Sequence, residues 1–194
     1  MGDLEVRLRL SSLILISSLL TACTGKSDDT GTCDSPGGPA DGTPDAHCTA
    51  ADYVTVDPTD CQTATDTGGM ADYGDTMYGY SGDDDDCKYA VTWSSTDICE
   101  GTGVTFTVNV NYLADGTATT GADPQIEGYL TSDTTHVLPN SGVQTTEVGG
   151  GQYTVGPIDF DASGEWTVRF HFFETCADTE TGPHGHAAFA VDVP

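Results

Sequence analysis

The chain has 194 residues, with 31 Asp and Glu against 5 Lys and Arg and a formal net charge of −26. That length fits one domain with extensions, and a surface so acidic repels phosphate backbones, which argues against nucleic acid as a partner. An apolar fraction of 37%, with 24 Gly and 9 Pro, leaves enough for a core only if the apolar residues are concentrated in one part of the chain.

At the N-terminus, Arg7 and Arg9 precede an apolar stretch over residues 10–20. Eleven residues at about 1.5 Å rise cover roughly half of a ~30 Å hydrocarbon core, too little for a spanning helix. A positive start, a short apolar run and small residues mark residues 1–22 as a signal peptide. Leu20-Thr21-Ala22-Cys23 resembles the lipobox of bacterial lipoproteins. The resemblance implies cleavage before Cys23 and lipidation of that cysteine, which makes the membrane a partner through the attached lipid. More than one acyl chain is what stable anchoring requires. Thr24, rather than Asp, follows the cysteine, which favours the outer over the inner membrane of a bacterial cell envelope and leaves the periplasmic and surface faces both open.

Residues 23–50 are rich in Gly, Pro, Ser, Thr and Asp and cannot bury enough apolar surface to fold alone, so they read as a flexible acidic tether. Residues 51–88 form a loop-rich segment whose Tyr53, Val54, Val56, Met70, Tyr73, Met77, Tyr78 and Tyr80 can pack on, or lead into, the following domain. It ends in Asp83-Asp84-Asp85-Asp86. Carboxylates suit Ca²⁺, a hard cation. The run lacks the Asp-x-Asp-x-Asp-Gly spacing of a calcium loop, so a solvated acidic run is the preferred expectation.

From Tyr89 onward the texture is alternating. Tyr89, Val91 and Trp93 share one face of a first strand, and Val104, Phe106, Val108, Val110 and Tyr112 alternate with Thr and Asn in a second. Ile126, Gly128 and Leu130 suggest a third, and residues 136–138 and 143–148 offer one or two short ones. Tyr153 and Val155 lead through Gly156-Pro157, a bulge or kink, to Ile158 and Phe160. Trp166, Val168, Phe170 and Phe172 form a further strand, and Ala187, Phe189, Val191 and Val193 the last. About seven strands without a helical period predict an all-β, immunoglobulin-like antiparallel β-sandwich over residues 89–194.

Thr105-Phe-Thr-Val-Asn-Val, Ala114-Asp-Gly, Gly151-Gln-Tyr-Thr-Val and Ser163-Gly-Glu-Trp-Thr-Val-Arg-Phe resemble the YtkA-like domain family over residues 89–194. The resemblance implies a small immunoglobulin-like envelope domain. Relatives of similar shape serve in copper handling and oxidase maturation, many with Met and His after the third strand. Here that stretch reads His136-Val-Leu-Pro-Asn-Ser-Gly, without Met, so the copper role does not carry over with the motif.

With Cys23 committed to lipid, Cys33, Cys48, Cys61, Cys87, Cys99 and Cys176 remain, an even set for up to three disulfides in an oxidising compartment, with fifteen pairings possible. Cys33 and Cys48 can crosslink the tether. In a sandwich of this topology Cys87 and Cys176 fall at the same end, which favours a bridge between them, with Cys99 at the other end. The absence of Cys-x-x-Cys argues against a zinc ribbon or thioredoxin-type centre.

Four histidines fall in the strand-rich part: His136, His171, His184 and His186. By parity His171 lies opposite Trp166, Val168 and Phe170, and His186 opposite Ala187, Phe189 and Val191, so both sit on an outer face. Their strands are neighbours in such a sandwich, and residues directly opposite have Cβ atoms about 4.5–5.5 Å apart. His184 adds a third ligand if the strand extends that far, and neutral imidazoles suit copper or zinc. The plainer alternative packs His171 by Arg169 and Phe173 and makes Pro183-His-Gly-His a turn. Gly-x-Ser-x-Gly, His-Glu-x-x-His and a phosphate loop are all missing from the sequence, so a non-enzymatic protein is expected. Two functions remain in view. One is an envelope lipoprotein presenting the domain to an envelope protein or small ligand. The other is a periplasmic copper- or zinc-binding protein using a histidine rim.

Overall fold

Alternation along the strands closes into two antiparallel five-stranded sheets in the computed structural model of the chain. The structure describes residues 33, 35–42, 48–53, 76–139, 141–173 and 185–194. The expected signal peptide, Cys23, Cys61, Cys176 and His184 lie outside these. In chain order the strands are β1 (Gly38–Pro39), β2 (Ser81–Asp83), β3 (Tyr89–Ser95), β4 (Gly103–Tyr112), β5 (Gln125–Leu130), β6 (Asp133–Val137), β7 (Gln144–Gly149), β8 (Gln152–Asp159), β9 (Gly164–Phe172) and β10 (Gly185–Val193). One sheet runs β1-β10-β9-β5-β6 and the other β2-β3-β4-β8-β7. The expected all-β sandwich is the observed fold, and the described residues contain no helix.

Period-two patterning decides which side chains form the core. Val104, Phe106, Val108 and Val110 of β4 are buried, while the intervening Thr105, Thr107 and Asn109 are half-exposed. Across the interior, Phe106 meets Phe170 of β9 with ring centroids 5.7 Å apart, and Trp93 of β3 meets Phe106 at 5.5 Å. Such tilted and edge-on contacts add to the roughly 1.5–3 kcal/mol from burying each large apolar side chain. The expected irregularity at Gly156-Pro157 is a slip in the β4–β8 register between Val104 and Phe106. Gly128 lets β5 lie close on β9, since a Cβ there would come within 2.5 Å of the Thr167 carbonyl oxygen.

The sheets also recruit residues from before Tyr89. The outer edge of β10 is covered along its length by three separate segments. Gly38 and Pro39 pair with Asp192 and Val191, and the Ala40 N–H donates to the Ala190 carbonyl at 2.9 Å. Met77 exchanges backbone bonds of 2.8 Å with Ala188 and Ala190. The Asp85 N–H donates to the His186 carbonyl at 2.9 Å. An otherwise open sheet edge is thereby closed to other chains.

Two disulfides fasten these segments: Cys33–Cys99 and Cys48–Cys87. The expected Cys87–Cys176 bridge is therefore incorrect, as is a crosslink confined to the tether through Cys33 and Cys48. The expectation considered the sandwich alone. The upstream segment lies along β10 and carries Cys48 to the turn after β2, where Cys87 has a positive φ of 56°.

Candidate functional site

The antiparallel register of β9 and β10 sets His171 directly opposite His186. Their rings lie 4.6 Å apart, edge to face, as parity predicts. The face that carries them is buried: Thr167, Arg169, His171, His186, Ala188 and Ala190 are all shielded, and Trp166, Val168, Phe170 and Phe172 fill the core behind β9.

Buried cationic and imidazole groups need partners, and neighbouring strands supply them. β5 lies beside β9 with Glu127 opposite Arg169 and Gln125 opposite His171. One oxygen of Glu127, Oε1, meets both Arg169 Nη2 and His171 Nε2. The His171 ring also stacks parallel to Phe173, with centroids 6.0 Å apart. On the other flank, His186 Nδ1 lies 3.1 Å from Asp85 Oδ2, and the His186 backbone N–H donates to Asp85 Oδ1 at 2.7 Å. A row of Arg169, Glu127, His171, His186 and Asp85 thus crosses β5, β9 and β10 and ends in the turn between β2 and β3.

That turn holds the acidic run. Asp83 ends β2 and pairs with Ala90. Asp84 is fully buried, and its Oδ1 accepts the N–H groups of Lys88 and Tyr89, each at 2.7 Å. Its Oδ2 has no hydrogen-bond partner among the described residues. Gly185 opens β10 against this oxygen, where a Cβ would sit 2.4 Å from it. Burial pushes the Asp84 carboxyl up to about 8; Asp86 and Asp85 push the same way, and the two backbone N–H groups oppose them. Oxygens of Asp84, Asp85 and Asp86 lie within 4.8 Å of one another. The Lys88 amine sits 4.7 Å from the Tyr89 ring centroid, a cation–π contact.

Among the described residues, the side chains that converge as potential metal ligands are Asp84, Asp85 and Asp86, without either histidine. His136 belongs elsewhere. Its Nε2 lies 2.8 Å from Asp161 Oδ1, and its ring meets Trp166 edge-on at 5.4 Å. Trp166 and His171 are five residues apart on β9, roughly 16 Å at strand rise, so His136 cannot share a metal with the His171–His186 pair. Sequence reasoning missed Glu127, the burial of Asp84 and the pairing of half-buried Asp85 with His186. Glu127 carries a readable signal, because it alternates with Ile126 and Gly128 and so faces outward from β5. Asp84 carries none, since nothing in a run of four acids marks the buried one.

Comparison with family models, curated proteins and solved structures gives no match.

Proposed function

We propose that the protein is a non-enzymatic, lipid-anchored binding protein of the bacterial envelope. Its β-sandwich is offered to an envelope partner or a small ligand. The observation that supports this most is the pair of disulfides, Cys33–Cys99 and Cys48–Cys87, because such bridges persist in oxidising, exported compartments. They accompany a signal peptide ending at a lipobox cysteine, Cys23, and Thr24 favours the outer membrane. The YtkA-like likeness of residues 89–194 belongs to the same reading. The test is metabolic labelling with a radiolabelled fatty acid, followed by membrane fractionation. Label and membrane association are expected for the wild type and lost in Cys23→Ser. Equal labelling of both, or a wild type that fractionates as soluble, refutes the anchor.

A second reading, copper or zinc binding, draws on the direct pairing of His171 with His186. It requires their ring signals to shift when Cu²⁺ or Zn²⁺ is added and followed by histidine NMR. Unchanged signals refute it.

A further inference from the structure

We propose that the turn between β2 and β3 is a binding site for a hard divalent cation of the Ca²⁺ type, held by the carboxylates of Asp84, Asp85 and Asp86. Acidic residues in a row are ordinarily a solvated feature. Two observations set this run apart. The first is convergence. Ca²⁺ takes oxygens at about 2.3–2.6 Å, so two oxygens on one ion can be no more than roughly 5 Å apart. Oxygens from all three residues meet that limit, lying within 4.8 Å of one another.

The second is the state of Asp84. Its side chain is fully buried, Oδ1 is committed to two backbone N–H groups, and Oδ2 has no donor among the described residues. A desolvated carboxylate oxygen without a donor is costly. A cation shared with Asp85 and Asp86 supplies the partner that this oxygen lacks among the described residues. The turn is also held in shape from several sides. The Asp84 N–H donates to the Tyr89 carbonyl at 3.0 Å and the Cys87 N–H to the Asp84 carbonyl at 3.1 Å. Cys87 is tied to Cys48, and Asp85 is oriented by the backbone N–H of His186. The His186 ring stands beside Asp85, so the histidine serves as an outer support that aligns a ligand. All-oxygen donors favour a hard ion over copper or zinc.

This inference is independent of the lipid anchor. Fatty-acid labelling at Cys23 can succeed or fail without bearing on it.

The test is calorimetric titration of Ca²⁺ into the full-length, detergent-solubilised protein after chelator treatment. The background is about 0.15 M salt, where diffuse attraction to the acidic surface is largely screened. Saturable binding is expected, weakened about tenfold or more by Asp84→Asn and by Asp86→Asn, because affinity follows the number of charged ligands. Asp97→Asn, which removes the same charge from an exposed position after β3, is expected to leave binding unchanged. If Asp84→Asn does not fold, Asp86→Asn alone decides. No saturable binding up to about 10 mM Ca²⁺, beyond the range of weak extracellular sites, overturns the proposal. So does an Asp86→Asn variant that binds as the Asp97→Asn control does.

Discussion

Replacing Cys33 and Cys99 by serine should destabilise the protein by an amount that depends on whether the other bridge is present. The two bridges are nested: Cys33–Cys99 spans 66 residues and encloses Cys48–Cys87, which spans 39. A crosslink stabilises mainly by removing loop-closure entropy from the unfolded chain. With the inner bridge intact, the outer one closes an effective loop of about 27 residues, 66 less 39, worth about 3.6 kcal/mol. With the inner bridge removed, the outer one closes the full span and is worth about 4.4 kcal/mol. Removing both should cost about 7.5 kcal/mol, comparable with the whole stability of an ordinary domain. The assay is urea unfolding under non-reducing conditions for the wild type, each paired Cys→Ser variant and the quadruple variant. Stability is taken from the midpoint and slope together, so that changes in unfolded-state compactness are seen. An outer bridge worth less in the absence of the inner one refutes the nested arrangement, as does non-reducing peptide mapping that finds Cys87 joined to any cysteine other than Cys48.

Tyr153→Phe removes a buried hydroxyl that donates to the Thr119 carbonyl at 2.9 Å and accepts the Ala122 N–H at 3.1 Å. Stranding those backbone groups should cost about 1–3 kcal/mol in denaturant unfolding, and an unchanged midpoint would contradict the assignment. Gly185→Ala drives a Cβ to 2.4 Å from Asp84 Oδ2; overpacking of this kind should cost about 1–3 kcal/mol and weaken Ca²⁺ in the same titration. Asp115 is held below its ordinary carboxylate range by bonds from the Thr117 hydroxyl and backbone N–H. These bonds are therefore present above the unfolded value of 3.8 and lost as pH falls through the lower folded value. The Thr117 amide NMR signal should titrate below pH 3.8 in the wild type and stay flat there in Asp115→Asn; an amide that moves only above that pH contradicts the bond.

The fold class was legible because alternation is a local property. In β4, Val104, Phe106, Val108 and Val110 needed no knowledge of their neighbours to be assigned inward, and they are buried. The pairing of His171 with His186 was also within reach, because parity and an antiparallel hairpin-like connection suffice to make it. Before Tyr89, Met77 was expected to pack on the domain and is buried in its core, but the strand pairing of this segment was not legible. Gly38, Pro39 and Met77 join the β10 edge through main-chain bonds, and backbone pairing of short segments leaves no side-chain pattern. The disulfide expectation failed for the same reason, since it placed the cysteines on a sandwich without those segments.

The sequence by itself determined an all-β chain with a mostly apolar face on each main strand and a histidine pair across two late strands. Tertiary structure decided what surrounds that pair. Asp85 bonds His186 across 101 residues of chain, and Glu127 reaches Arg169 and His171 from a strand more than 40 positions away. Strand order makes those meetings, and strand order is a property of the packed sheet rather than of any local run of residues. The same packing buries one carboxylate of four consecutive acids, Asp84, and so separates a candidate cation ligand from neighbours identical to it in sequence.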